Sequence, residues 1–363
     1  MSDLKILHLS TATSWRGGEQ QLVYLYKELN LIGITQLVLL PSGSALQNYC
    51  RFEKMSFETF KKKGFMALGL ASTLAKLARA NSYDLVACHD SHAHSAAVYA
   101  SKFFGLQLPI VVHRKVDFPV GQNFISRAKY NHPSVKAFIC VSEEVRRILG
   151  KTVRKAQSLH VVYDGIDLER FKEPGKKLRK ELEIADDELL IGNVAALTHQ
   201  KDHLSFIKSA EILLAAGQKM KFVILGDGEL MPSLKHYIQG EVLEKEIYLL
   251  GFRQNIDELL PEMDLFLFSS RKEGLGTSVL DAFAAGVPVV CTDAGGLKNI
   301  IRHQENAYLG KVGDPESLAE GVEWMFSDEE RKLKIVRQAK EDVQEFSYVK
   351  MAKGCLEVYQ SIF

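Results

Sequence analysis

Short apolar runs alternate with helical stretches along the whole chain, and the alternation restarts once. The first run, Lys5 to Ser10, is followed by a stretch from about Glu19 to Asn30 in which apolar residues recur at helical spacing. Further strands are predicted at Gln36 to Leu40, Asp84 to His89, Ile110 to His113, Ala137 to Val141 and Leu159 to Tyr163, with helical patterns in most of the gaps. Parallel strands require such crossovers, and strands covered on both faces read as unbroken apolar runs, as Ile110-Val111-Val112 does. The pattern predicts a doubly wound parallel sheet.

The same grammar resumes after the turn-rich Tyr163-Asp164-Gly165-Ile166-Asp167 and a charged segment, Lys172 to Glu188, that is poor in apolar residues. New strands are predicted at Leu189 to Val194, Phe222 to Leu225, Ile247 to Leu250, Leu265 to Phe268 and Val287 to Cys291. The expected organisation is α/β, with Rossmann-like domains over residues 1–167 and 168–345. In the last segment, 346–363, Val349, Ala352, Leu356, Tyr359 and Phe363 recur at helical spacing, which predicts a final amphipathic helix returning to the first domain.

Composition adds constraints. The chain has 363 residues, 46% hydrophobic and 25% charged, which is ordinary soluble usage and a length that suits two cores better than one. No apolar run approaches the ~18 residues of a membrane span, and MSDLKILHLS enters a strand without a basic leader or cleavage site. The five cysteines, Cys50, Cys88, Cys140, Cys291 and Cys355, are odd in number, far apart and without a CxxC pair. Disulfides and a zinc site are not expected, and a reducing cytoplasm is. The net charge of +1 hides an asymmetry: residues 1–167 hold 21 Lys and Arg against 12 Asp and Glu, giving +9, and the remainder hold 25 against 33, giving −8. A basic first domain is expected to meet something anionic, a phosphorylated acceptor or the inner face of a membrane, with solvated charge as the alternative. No nucleic-acid partner is expected.

In an open α/β sheet, ligands bind beyond the carboxyl ends of the strands, so the residues after each strand carry the candidate chemistry. Trp15-Arg16-Gly17-Gly18-Glu19 leads into a helix. Two glycines let backbone approach a ligand and helix N-terminal amides favour an anion, although a tight turn without a ligand uses the same residues. Leu225-Gly226-Asp227-Gly228-Glu229 repeats the arrangement in the second half. The most informative segment runs from Ser269 to Val290, in the order strand, acidic loop, helix, strand. Glu273 lies where the chain leaves a strand, the turn Gly274-Leu275-Gly276-Thr277 offers amides, and Asp281 follows on the helix face of Thr277. Carboxylates beside an anion site suit a ligand with both phosphates and hydroxyls, as a nucleotide sugar has.

Cys88-His89-Asp90-Ser91-His92-Ala93-His94 places three histidines at a strand end. His89 and His92 are tempting as metal ligands, but a helix starting near Ser91 sends His94 elsewhere and no zinc spacing is present, so no metal is expected. His113-Arg114-Lys115 ends the next strand, and its charges suit an anionic acceptor or a solvated loop. Lys61-Lys62-Lys63, between Phe60 and Phe65, is a candidate for peripheral contact with an anionic membrane.

Glu273 to Val290 resembles the donor-binding signature of the retaining glycosyltransferases of family 4, which have the GT-B fold: a Glu, a glycine-rich turn, a second acid eight residues on, then Ala-x-Gly-x-Pro-Val. The resemblance extends through Gly17-Gly18, Val141-Ser142-Glu143, Asp164-Gly165-Ile166-Asp167, Lys201, Gly226-Asp227-Gly228, Leu250-Gly251-Phe252 and Gly295-Gly296. It implies two Rossmann-like domains facing across a cleft, the first taking a glycan or lipid-linked saccharide acceptor and the second a nucleoside-diphosphate sugar, with no cofactor. It further implies that Glu273 binds donor-sugar hydroxyls, Asp281 the ribose, and Gly17, Gly18 and Lys201 the diphosphate, with Gly226 and the turn from Gly274 to Thr277 completing the donor site. His92 fits the family's active-site histidine, with His89 as the alternate. His89, Arg114 and Lys115 would face the acceptor.

Two departures qualify the resemblance. Asp281 is one methylene shorter than the usual Glu, and the arginine that normally precedes the lysine is replaced by Ala196 in Ala195-Ala196-Leu197. Another cation is then required, and His199, His203, Arg253 and Arg271 are candidates by position. A nucleotide-sugar epimerase of the same fold and a noncatalytic sugar-nucleotide binder are the rival readings.

Overall fold

The structure, a computed structural model, describes residues 4–61, 66–121, 123–171 and 175–363. Lys62, Lys63 and Phe65 of the basic run, and Lys172 at the start of the charged segment, therefore lie outside the described residues. The chain divides into a unit that runs to Gly165 and takes back Tyr348–Phe363, and a second unit spanning Ile166–Ser347.

The first unit alternates strand and helix: β1 (Lys5–Leu9), α1 (Gly17–Leu31), β2 (Thr35–Pro41), α2 (Ala45–Phe52), β3 (Phe57–Phe60), α3 (Met66–Asn81), β4 (Leu85–Cys88), α4 (Ser91–Phe104), β5 (Ile110–Arg114), α5 (Phe124–Tyr130), β6 (Val135–Cys140), α6 (Glu143–Gly150) and β7 (Leu159–Val161). All pairings are parallel, in the order β3-β2-β1-β4-β5-β6-β7, so the order reverses between β1 and β4. The sequence pattern omits β3: only its last residue, Phe60, is buried, as befits an edge strand with no apolar run.

The second unit holds α7 (Lys177–Glu181), β8 (Leu189–Val194), α8 (His203–Ala215), β9 (Met220–Leu225), α9 (Met231–Gly240), β10 (Ile247–Gly251), α10 (Ile256–Leu259), β11 (Leu265–Phe268), α11 (Thr277–Ala285), β12 (Val289–Thr292), β13 (Tyr308–Gly310), α12 (Pro315–Phe326) and α13 (Glu329–Asp342). Its sheet is parallel in the order β10-β9-β8-β11-β12-β13, with the reversal between β8 and β11. The three-residue edge strand β13 also escapes the sequence pattern. In the core, Phe206 and Ile207 of α8 and Leu318 and Val322 of α12 pack against Phe222, Ile224 and Leu267. Asp314 and Asp328 cap α12 and α13 by accepting from Ser317 N and Arg331 N.

The last helix, α14 (Tyr348–Gln360), packs in the first unit against α1 and β6. Its buried face is Met351, Ala352, Cys355, Val358 and Tyr359, beside Leu25, Leu29, Val111 and Ile139. The stripe read from the sequence is rotated from this face, since Val349 is 51% and Phe363 71% exposed. Val349 falls outside the arc that meets the sheet, and Phe363 lies beyond the end of the helix.

All five cysteines are free and buried. Burial pushes the thiols of Cys50, Cys140 and Cys355 up to about 11, 12 and 12, and raises those of Cys88 and Cys291 as well. Among the described residues no helix is long and apolar enough to cross a membrane.

Candidate active site

Ligand sites in doubly wound sheets form where the strand order reverses, because adjacent loops there diverge to opposite faces. In the second unit the reversal brings together the loops after β8 and β11, which carry Lys201 and Glu273. Lys201 Nζ donates to Glu273 Oε2, with side chains 22% and 13% exposed, and lies 4.9 Å from the centre of the Phe268 ring. Ser269 Oγ donates to the carbonyls of Lys201 and Asp202 at 3.0 and 2.9 Å, so β11 fixes the loop that carries the lysine. Asp202 sits at φ 47, a left-handed conformation that a non-glycine residue adopts only when held, and Arg271 Nε pairs with its carboxylate at 2.8 Å.

The glycine turn after Glu273 is set by a neighbouring loop. Gly296 N donates to Glu273 O at 2.8 Å, and a Cβ on Gly296 would come within 1.9 Å of Gly274 O. Gly276 has φ 101 and leads into α11, where the amides of Thr277 and Ser278 find no acceptor among the described residues. Those amides and Lys201 are groups that favour an anion, and a carboxylate stands beside them. Asp281, half-buried one turn into α11, is pushed up to about 7 by burial, opposed by Arg170 and reinforced by Asp167. Gly226 and Gly228 have a packing reason of their own, since a Cβ there would come within 1.8 Å of Ala195 O and 2.5 Å of Leu197 O.

The proposed substitutes for the arginine missing at Ala196 sort by environment. His203 is fully buried and kept neutral, with its pKa lowered to about 4 by burial and by Lys201. Arg253 pairs with Glu181, and Arg271 with Asp202 next to Lys201. His199 is exposed.

In the first unit the reversal lies between β1 and β4. One carboxylate joins their loops: Asp90 accepts from Thr11 N, Thr11 Oγ1, His92 N and Ala93 N at 2.6 to 2.9 Å and so caps α4. His92 is exposed, whereas His94 is fully buried against Tyr130 and Phe138. Gly17 and Gly18 open α1 with empty space where a Cβ would stand, so no packing demand explains them. Arg114 donates to Tyr130 OH and Phe118 O, and Lys115 pairs with the buried Asp164. Both cations are thus engaged inside the unit. Sequence reasoning missed Lys129, which donates to Ser91 O at 2.7 Å and is lowered to about 8 by burial. Among the described residues no group of His, Cys, Asp and Glu is arranged to hold a metal.

His89 belongs to a buried row that sequence spacing could not reveal. His8 Nε2 lies 3.0 Å from Gln36 Oε1, and His8 Nδ1 3.0 Å from His89 Nε2. The His89 ring stacks on that of His113 at 4.5 Å, and His113 Nε2 meets Tyr359 OH at 2.7 Å. Burial holds all three histidines neutral, His8 down to about 4 and the others well below the usual range, with neighbouring histidines and Lys115 adding to the effect on His89.

Residues 15–170 match the family described as Glycosyltransferase Family 4, and residues 175–342 the family described as Glycosyl transferases group 1. Over 285 residues the chain is 27% identical to N-acetyl-alpha-D-glucosaminyl L-malate synthase of Bacillus anthracis, covering 77% of this chain and 74% of that one. It is 26% identical over 302 residues, 79% and 78% of the two chains, to the UDP-Gal:alpha-D-GlcNAc-diphosphoundecaprenol alpha-1,3-galactosyltransferase of Escherichia coli. The crystal structure of Anabaena HepE in complex with UDP and glucose superposes with a TM-score of 0.86 at 23% identity, covering 99% of this chain and 100% of that one. That likeness establishes the GT-B fold.

Proposed function

We infer the reaction from a premise now in hand: the chain belongs to the glycosyltransferases of family 4 and group 1, and it is a GT-B enzyme acting on nucleotide sugars. We propose that it transfers the sugar with retention of anomeric configuration, without a metal, to a saccharide or lipid-linked acceptor. The observation that carries this reading is the pairing of Lys201 with Glu273 in the loop that leads to the free amides of α11. A donor laid there meets a cation and helix amides at its diphosphate and a carboxylate at its sugar hydroxyls.

In the proposed step the bond from the anomeric carbon to the phosphate oxygen breaks, and its electron pair leaves with the nucleoside diphosphate. The acceptor hydroxyl bonds to the same face of that carbon and gives its proton to the departing phosphate oxygen. Charge builds on the phosphate as the bond breaks, so Lys201 and the amides of Thr277 and Ser278 stabilise the transition state more than the ground state. Asp281 would hold the ribose, and within the first unit Gly17, Gly18 and His92 are the residues that the family resemblance names as candidates. The polyprenyl-linked acceptor named for the E. coli relative and the +9 charge of residues 1–167 support an anionic lipid-linked acceptor and peripheral contact with the membrane that holds it.

The test is incubation with a panel of nucleoside-diphosphate sugars in excess EDTA, with and without lipid-linked acceptors, following free nucleotide and the anomeric configuration of the product. Acceptor-dependent release with retained configuration is expected. An altered sugar released without acceptor would indicate an epimerase, and binding without turnover a noncatalytic binder. Transfer that requires added magnesium or manganese would overturn the metal-free assignment.

A further inference from the structure

His8 on β1, His89 just past β4 and His113 on β5 lie side by side beneath α1 and α14, and the positions of their protons follow from the end of the row. The Tyr26 carbonyl can only accept, so the Gln36 amide nitrogen donates to it at 3.0 Å, and Gln36 must turn its oxygen to His8. His8 therefore carries its proton on Nε2 and leaves Nδ1 bare. His89 must then donate from Nε2 to His8 Nδ1. A neutral imidazole has one proton, so the second His89 nitrogen, Nδ1, is a bare lone pair. It is buried and has no partner among the described residues, although His89 itself is 9% exposed at the reversal of strand order.

We infer that His8 and Gln36 are positioning residues for the acceptor site: they fix His89 as the Nε2–H tautomer so that its Nδ1 accepts a hydrogen bond from a hydroxyl of the saccharide acceptor. This rests on the proposed transferase reading. A buried acceptor without a donor is costly, and a ligand that supplies the donor removes that cost. A neutral lone pair selects a hydroxyl over a phosphate, which needs a cation or an N–H. The stacked His113 ring, held by Tyr359, restrains the His89 plane.

Gln36→Glu inverts the row. Its carboxylate draws a second proton onto His8, whose Nδ1–H must then be accepted by His89 Nε2, and the His89 proton moves to Nδ1. Gln36→Met removes the anchor at similar volume and mixes the tautomers. In full-length protein labelled with 15N-histidine, with His89 assigned by its loss in His89→Asn, the wild type should show an unprotonated Nδ1 and Gln36→Glu a protonated one. With the transferase assay in place, and at a temperature below the melting transition that loss of the Tyr26 bond lowers in Gln36→Glu, kcat/KM for the acceptor should fall on the order of tenfold to a hundredfold, with donor KM little changed and partial recovery in Gln36→Met. A wild-type His89 protonated on Nδ1 overturns the inference, a measurement that needs neither activity nor a Gln36 variant. Inverted tautomer with undiminished transfer also overturns it, leaving a water as the partner of Nδ1 and the transferase reading intact. A wild type that transfers no sugar overturns that reading and the substrate assigned to His89, while the tautomer result stands apart.

Discussion

Replacing Glu273 by Gln changes one oxygen to an amide and should move three observables in different directions. In the free chain Lys201 is held by the Glu273 carboxylate and the face of Phe268. Two unit charges in contact at a partly solvated site attract by about 4 kcal/mol before desolvation, and exposures of 22% and 13% place the pair between surface and interior. A net contribution of about 1 to 2 kcal/mol to stability follows, which lowers the melting temperature by about 2 to 4 °C per kcal/mol in a unit of this size. The same carboxylate competes with a diphosphate for Lys201, so Glu273→Gln should bind uridine or guanosine diphosphate more tightly, by roughly fivefold, or about 1 kcal/mol. Turnover should fall on the order of tenfold to a hundredfold, because a charged hydrogen bond to a sugar hydroxyl contributes about 1.5 to 3 kcal/mol. Calorimetric titration with the diphosphate and initial rates with the matching sugar nucleotide measure both. Weaker or unchanged diphosphate binding would show that the lysine does not meet the phosphates, and undiminished turnover would remove Glu273 from the sugar site.

Three further outcomes are expected. Because the fold keeps His8, His89 and His113 neutral while the unfolded chain protonates them near 6.5, their contribution is complete above that pH and is lost as pH falls toward about 4, where His8 itself protonates in the fold. Each histidine then costs about 1.4 kcal/mol per pH unit, so urea unfolding that is unchanged between pH 7.5 and 5.5 would contradict the burial argument. Gly296→Ala drives a Cβ into Gly274 O and should destabilise the second unit and abolish donor binding, whereas Gly17→Ala meets open space and should slow transfer at constant melting temperature; equal melting temperatures for the two variants would refute the contrast. With its carboxyl raised to about 7, Asp281 should give donor affinity an inflection near neutral pH that Asp281→Asn removes, and a profile unaltered by the substitution would exclude Asp281 from the ribose.

The sequence disclosed what is written locally. Glu273, the turn to Thr277 and the start of α11 lie within a few residues of one another, so strand, glycine and acid can be read in order. Ile110-Val111-Val112 announces a strand because both its faces are covered. What is not local stayed hidden. Lys115 reads as a free cation because Asp164, its partner, is 49 residues away. The histidine row depends on the register of β1, β4 and β5 and on a helix that returns from residue 348, and spacing along the chain encodes neither. Strand β3 was invisible because only Phe60 of its four residues is buried, and β13 because it is three residues long; edge position alone does not hide a strand, since β7 and β10 are edges with readable apolar runs.

The burial of every cysteine gives the chain an internal clock for opening. Four of the thiols, Cys50, Cys88, Cys140 and Cys355, belong to the first unit and one, Cys291, to the second. A thiol reagent reaches each only when its own surroundings open, so digestion and peptide mapping of the first labelled species report which unit loosens, with no substitution or attached dye. Cys355 sits on α14, while Cys88 and Cys140 lie in strands of the sheet that α14 covers. If Cys355 is labelled before those two, the returning helix peels away while the sheet is still closed; simultaneous labelling of the three means that helix and sheet come apart as one cooperative body.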